Sequence, residues 1–235
     1  MQRIAVFGSA GTIGAALIFE LAGRYPTAEI FAFSRSGRQF EPRNVQSYAV
    51  DYLDEAQLAN LAKLLAPLDL ILIATGVLHD DQATPEKSIR QLSVDQFAHL
   101  FEVNTIVPAM IIKQFAPSLA KDKRVILAAL SARIGSIGDN RLGGWYAYRA
   151  SKAALNMLLK TLSIELSRTH KQSIVVGLHP GTVDSPLTKP FQSSVPEGSL
   201  FTAQASASHL IDVLMQLTPQ QTGRCFAFNG EEIAP

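Results

Sequence analysis

Tyr148 and Lys152 lie one helical turn apart in the run WYAYRASKAALN at residues 145–156. On a helix, an i, i+4 spacing puts the phenol and the ammonium on one face. A free tyrosine ionises at a pH of about 10, too high for it to accept protons readily near neutrality. A neighbouring cation stabilises the phenolate and lowers that value, so the pair suits general acid–base work. The bare spacing is common in helices. What gives it weight is its place, after a long loop and downstream of a glycine-rich turn.

That turn is RIAVFGSAGTIG at residues 3–14, a strand running into a helix through Gly8, Gly11 and Gly14. A tight turn needs Gly8, and a glycine near the helix start lets backbone N–H groups approach a pyrophosphate. Ser9, Thr12 and Ile13 complete this loop. The next strand ends in Ser34, Arg35, Ser36 and Arg38, with no acid to bind the ribose hydroxyls of NAD. A hydroxyl beside a guanidinium suits an adenosine 2′-phosphate, which favours NADP over NAD. Asp51 and Tyr52 close the third strand, where an acceptor could meet the adenine amino group; Asp54 fits a helix cap equally well. Ala74, Thr75 and Gly76 end the fourth strand with small residues against which a ribose could lie.

The elements needed to hold these residues follow from the pattern. Nearly continuous apolar runs at Arg3–Gly8, Glu29–Ser34, Val45–Asp51, Leu68–Thr75, Arg124–Leu130, Ser173–His179 and Arg224–Asn229 read as strands buried on both faces. Helical periodicity fills the gaps at Ile13–Arg24, Glu55–Ala66, Val94–Leu119, Tyr146–Arg168 and Ala203–Leu217, with the third divided near Pro108. This alternation predicts a single-domain α/β chain of Rossmann-type, doubly wound, with a parallel sheet of about seven strands and helices on both faces. The long stretches 75–93, 131–144 and 181–201 all follow strands, so they should overhang the ligand-binding edge.

Composition narrows the class further. The 235 residues are 47% apolar with a formal net charge of +1, so neither nucleic acid nor a membrane is an expected partner. Cys225 is the only cysteine and the five histidines lack ligand spacing, so no metal site is expected. With no leader-like segment and no membrane-length apolar run, the expected location is the cytoplasm.

In combination, GSAGTIG, Asp51, the ATG at 74–76, Asn104, YRASK and PGTVDS at Pro180–Ser185 resemble the short-chain dehydrogenase/reductase family along essentially the whole chain. SARIGSIGDN, GGWYAYRASKAALN and HPGTVDSPLTKPF look most like its C-factor subgroup, named for a bacterial cell–cell signalling protein. The resemblance implies that Tyr148 gives the proton to a substrate carbonyl, or takes it back in oxidation. Lys152 would lower the phenol's pKa and bind the nicotinamide ribose, and Asn104 would support a water-mediated proton relay. Pro180 and Gly181 would turn the chain so that Val183 and Ser185 face the nicotinamide amide. A homodimer or homotetramer is also implied.

Two positions depart from the family pattern. Thr12 stands where the middle glycine of the loop is usual. After the fifth strand a serine pair is expected, and Ser131 is followed by Ala132 where the carbonyl-polarising serine belongs. Ser131 is the favoured replacement if the strand ends by Leu130; Ser136 is a second candidate, and loss of the serine role is a third. The expected function is NADP(H)-dependent interconversion of a carbonyl compound and an alcohol, with Leu142, Trp145, Leu187 and Phe191 pointing to an apolar or aromatic substrate. The alternative is a signalling or regulatory nucleotide-binding protein with weakened catalysis.

Overall fold

A computed structural model describes residues 1–235, apart from the side chain of Ser194. Ten strands and six α-helices follow one another: β1 (Arg3–Phe7), α1 (Thr12–Arg24), β2 (Glu29–Ser34), β3 (Val45–Ala49), α2 (Glu55–Leu65), β4 (Leu70–Ile73), α3 (Val94–Phe101), α4 (Val107–Phe115), β5 (Val125–Leu130), α5 (Tyr146–Leu166), β6 (Ser173–His179), β7 (Thr182–Val183), β8 (Leu200–Phe201), α6 (Ala203–Gln216), β9 (Arg224–Ala227) and β10 (Glu232–Ile233). The main sheet runs β3-β2-β1-β4-β5-β6-β9-β10, with every neighbour parallel except the last pair. Strand order reverses between β1 and β4, which opens a crevice at their carboxyl ends.

The central strands are apolar throughout because both of their faces are covered. Ala5, Phe7, Phe31 and Phe33 point to the layer of α2, α4 and α5, while Ile4, Val6, Ile30 and Ala32 point to α1 and α6. Phe7 stacks on Phe33 at 4.5 Å and meets the edge of Phe115 at 4.7 Å, locking the start of the glycine loop to α4.

The sheet has eight strands where about seven were expected. The extra one, β10, is a two-residue antiparallel strand closed onto β9 by a turn in which Ala227 N–H donates to Glu231 O at 2.8 Å. Two residues carry no periodicity, so no pattern announces it. The small β7–β8 pair within the stretch 181–201 escapes for the same reason.

The long helix divides at the residues preceding Pro108, where the sequence pattern is interrupted. A π-helical turn, Glu102–Ile106, separates α3 from α4, and Pro108 falls in the first turn of α4. Proline has no N–H, so it cannot supply the i→i−4 hydrogen bond to the carbonyl of Asn104. Such π-turns concentrate at functional sites, and this one carries Asn104, which is fully buried.

Candidate active site

The glycine loop is shaped by one carbonyl. The backbone N–H and the hydroxyl of Ser9 both donate to Phe33 O, at 3.0 and 2.9 Å, and the Tyr52 hydroxyl donates to it at 2.8 Å. Tyr52 also accepts the Gly8 N–H at 2.9 Å, and burial pushes its phenol up to about 12. Gly8 adopts φ +78°, and a Cβ there would come within 2.7 Å of the Ala74 carbonyl carbon. A Cβ at Gly14 would overlap the Gly8 carbonyl oxygen. Ser9 and Tyr52 therefore build the loop with their polar atoms, instead of presenting them to a ligand.

What the loop presents is the start of α1. Gly11 is its N-cap, with no side-chain capping bond and no acid in the first turn, so the helix N–H groups and dipole face outward at Thr12 and Ile13. Arg38 donates to Ala10 O at 3.3 Å and lies over the Phe40 ring, bringing its charge to this loop. Arg35 is exposed and forms no ion pair or hydrogen bond among the described residues. Ser34 is buried and accepts the Arg38 N–H at 3.1 Å, so it shapes the turn that carries both arginines. Asp51 is exposed and accepts the Leu53 N–H at 2.9 Å, while Asp54 caps α2 through Gln57 N–H at 3.0 Å. Thr75 contributes a buried hydroxyl that has no hydrogen-bond partner among the described residues. An open helix start, two arginines and an unpartnered hydroxyl fit a phosphate-bearing dinucleotide.

Across the crevice, α5 begins under constraint. Trp145 has φ +52°, an unusual conformation for a bulky residue, held as its N–H donates to Glu86 O at 2.6 Å. The buried Glu86 carboxylate also receives the Ala147 N–H at 3.4 Å. Three residues on, Tyr148 is 9% exposed and Lys152 3%. Lys152 Nζ donates to Leu130 O at 2.9 Å and lies 5.9 Å from the centre of the Tyr148 ring. Burial pushes the phenol up to about 12 and the ammonium down to about 8.

Asn104 joins this helix to the fourth strand's turn. Its amide donates to Val77 O at 2.8 Å and to Ser151 Oγ at 3.1 Å, and its carbonyl accepts the Val77 N–H at 2.8 Å. Gly76 lies close to both: a Cβ there would sit 3.2 Å from Lys152 Nζ and 3.3 Å from Asn104 Oδ1, a tight fit. Asn104 and the Tyr148–Lys152 pair, far apart in sequence, thus form one buried cluster against the partly exposed ATG turn.

The serine question is sharpened by the geometry. The strand ends at Leu130 and Ser131 reaches the cavity wall, but its hydroxyl donates to Asn156 Oδ1 at 2.6 Å. Ala132 packs its methyl against the group around Tyr148, Leu78 and Trp145. Ser136 accepts the Asp139 N–H at 3.0 Å and lies 3.5 Å from Pro235 O, tying the loop to the last strand's tail. Asn156 was not singled out in the sequence, though it lies one turn beyond Lys152 on the same face.

Pro180, Gly181, Val183 and Ser185 all line the same cavity of about 680 Å³ as Tyr148, with Ile13 of the glycine loop on its wall. Ser206 Oγ donates to Pro180 O at 2.8 Å, and Ser185 Oγ to Val183 O at 3.3 Å, fixing this turn. Trp145 and Phe191, 5.0 Å apart, also line the cavity, and His79 Nε2 is bonded to Leu187 O at 3.0 Å.

Removing the Tyr52 hydroxyl leaves the Gly8 N–H without its acceptor. Tyr52→Phe is expected to lower stability by about 1–3 kcal/mol in urea unfolding. An unchanged unfolding midpoint would show that the Tyr52 bonds do not hold the loop.

A family model described as short chain dehydrogenase matches residues 2–195. The 1-hydroxy-2-glutathionyl-2-methyl-3-butene dehydrogenase of Rhodococcus sp. (strain AD45) is 34% identical over 170 residues, covering 72% of this chain and 70% of that protein. The C-signal of Myxococcus xanthus is 32% identical over 136 residues, or 58% of this chain and 76% of the relative. In fold, the NADPH-bound carbonyl reductase from chicken fatty liver superposes with a TM-score of 0.84 at 22% identity, covering 100% of this chain and 99% of that one. Because the family match takes in the glycine loop, the Asn104 turn and the Tyr148–Lys152 helix alike, this chain belongs to the short-chain dehydrogenase family.

Proposed function

We propose that this protein is an NADP(H)-dependent oxidoreductase that interconverts a carbonyl compound and an alcohol, with Tyr148 as the proton donor and acceptor. The observation that carries the reading is the burial of Tyr148 and Lys152 together, at the mouth of a crevice whose other wall is an uncapped helix start. NADPH on the chicken carbonyl reductase and an alcohol in the Rhodococcus enzyme's name support the same chemistry.

The residues that would hold NADP(H) are Gly11, Thr12 and Ile13 at the pyrophosphate and Arg35 with Arg38 at the 2′-phosphate. Thr75, Lys152 and the Pro180–Ser185 turn would hold the nicotinamide half. When bound, the reduced nicotinamide supplies a hydride. The chain's own groups handle the proton. With its pKa near 12, the Tyr148 phenol keeps its proton at neutral pH and can give it to a carbonyl oxygen as charge develops there. The Lys152 ammonium has three N–H bonds and uses one on Leu130 O, leaving two for a ribose and for phenolate stabilisation. Both N–H bonds of the Asn104 amide are engaged and its Oδ1 accepts the Val77 N–H, so its part in a proton relay is assigned to its main-chain carbonyl, which Pro108 cannot cap.

Ser131 has its proton directed at Asn156, and Ala132 has none to give. The carbonyl is then polarised by Tyr148 without a second donor, which predicts a slow but real enzyme. That same feature favours the regulatory reading, to which the C-signal similarity also points.

The two readings separate on turnover. NADPH oxidation with a panel of aldehydes, ketones and quinones is expected, and Tyr148→Phe should reduce it by about a hundredfold to ten-thousandfold while NADPH still binds. Binding without turnover on any substrate would favour the regulatory reading, and turnover indifferent to Tyr148→Phe would sink the mechanism. Ala132→Ser should raise kcat by about tenfold or more if a hydroxyl there restores the missing donor; an unchanged kcat would mean that another group already fills the role.

Lys152 gives a pH signature. Its pKa near 8 in the free protein must rise if the bound cofactor prefers the ammonium. NADPH affinity should therefore be flat below a pH of about 8 and fall above it, with proton uptake on binding seen calorimetrically in buffers of different ionisation heat. A flat affinity across that range would argue against contact with the charged lysine.

A further inference from the structure

The cavity wall away from the glycine loop carries unmatched positive charge. Arg133, Arg141 and Arg149 line it, and Asp139 is the only carboxylate among the described lining residues. Arg133 is matched twice, to Asp139 at 3.1 Å and to Glu231 at 3.0 Å. Arg149 meets no carboxylate among the described residues. Its guanidinium donates to the carbonyls of Gly144 at 2.9 Å, Ile134 at 3.3 Å and Gly143 at 3.1 Å. A guanidinium carries five N–H groups, so two of these remain without an acceptor among the described residues. Arg141 is exposed at the cavity rim, with no ion pair or hydrogen bond among the described residues.

The rest of the wall does not offset this charge. His179 lines it too, and its buried Nδ1 has no partner among the described residues. Burial beside Arg133 pulls that imidazole down to about 4, so it is neutral at physiological pH and offers a hydrogen bond without a charge. Trp145 stands edge-on to Tyr148 at 6.4 Å and meets Phe191 at 5.0 Å, with Leu187 in the same apolar group. The proton donor, an aromatic wall and a pair of free guanidinium edges therefore share one cavity.

We propose that the physiological substrate is a carbonyl compound or alcohol with an aromatic or other apolar body ending in a carboxylate, and that Arg141 and the free N–H groups of Arg149 bind that carboxylate. The proposal deepens the oxidoreductase reading above and rests on it. Arginine meets a carboxylate through paired, charge-assisted hydrogen bonds, which are stronger where the cavity wall excludes water. Unmatched positive charge in a cleft also raises the local concentration of anions, an effect that salt screens. A neutral substrate of the same shape would gain the aromatic contacts and leave both guanidinium groups as they are.

The test compares 4-carboxybenzaldehyde with 4-methylbenzaldehyde, two aldehydes of similar shape, in NADPH oxidation. The wild-type protein should favour the carboxylate by about tenfold or more in kcat/KM, the scale of one charge-assisted hydrogen bond. That preference should shrink as salt is raised, fall toward one in Arg141→Gln mainly through KM, and survive in part in Arg141→Lys. Equal use of both aldehydes by the wild type overturns the proposal and leaves the oxidoreductase reading standing. So does a preference unmoved by Arg141→Gln, or a loss in that variant that follows NADPH affinity instead of the carboxylate. Turnover of neither aldehyde counts against both.

Discussion

Asn104 is the joint on which the site depends. It is fully buried, and its three hydrogen bonds tie the turn after β4 to the helix bearing Tyr148 and Lys152. A buried amide left unpaired is costly, so the two elements hold their spacing as long as all three bonds are made. The π-helical turn makes this possible by rotating Asn104 inward between α3 and α4. Ser151 extends the tie, since it accepts from Asn104 and donates to the carbonyl of Tyr148 at 2.8 Å. The Tyr148–Lys152 pair is therefore positioned by a network that runs through main-chain atoms on both sides of the crevice.

That positioning has an electrostatic consequence. Tyr148 and Lys152 are each pushed toward their neutral forms by the same loss of water, the phenol upward and the ammonium downward. Among the described residues, neither group makes an ion pair that would relieve it. A polyol or an anion entering the crevice changes this balance more than it could on an exposed surface, because interactions in a dry site are less screened. The site is thus built to respond to what occupies it, and several hydroxyls around it are already committed elsewhere. Ser131 is held by Asn156, Ser136 by the 136–139 turn, and Tyr52 by the glycine loop.

The same economy of partners shapes the entrance. Phe33 O collects three donors from Ser9 and Tyr52, so the loop's rigidity comes from side chains pointing inward, and its outward face is backbone. On the far side, Arg149 is a brace for the 134–144 loop as well as a charge on the cavity wall. It shares the bracing with Arg133, paired to Asp139 and Glu231, and with Ser136 at Pro235 O.

Local pattern was enough for the frame. Apolar runs such as VILAAL and LILI can be satisfied only between two layers of helices, and GSAGTIG only by a turn into a helix start. The tyrosine–lysine spacing likewise follows from the helix pitch alone, and Asp54 reads as a cap from its position. The roles of side chains were decided differently, by partners distant in the chain. Tyr52 finds Gly8 across 44 residues, Asn104 finds Val77 across 27, and Ser131 finds Asn156 across 25. A hydrogen bond is specified by where two atoms lie in space, and no periodicity in the sequence records that. Sequence by itself thus determined the doubly wound sheet, the nucleotide turn and the Tyr148–Lys152 pair. Only the tertiary structure decided which hydroxyls remain free beside that pair, because packing assigns each buried donor its acceptor.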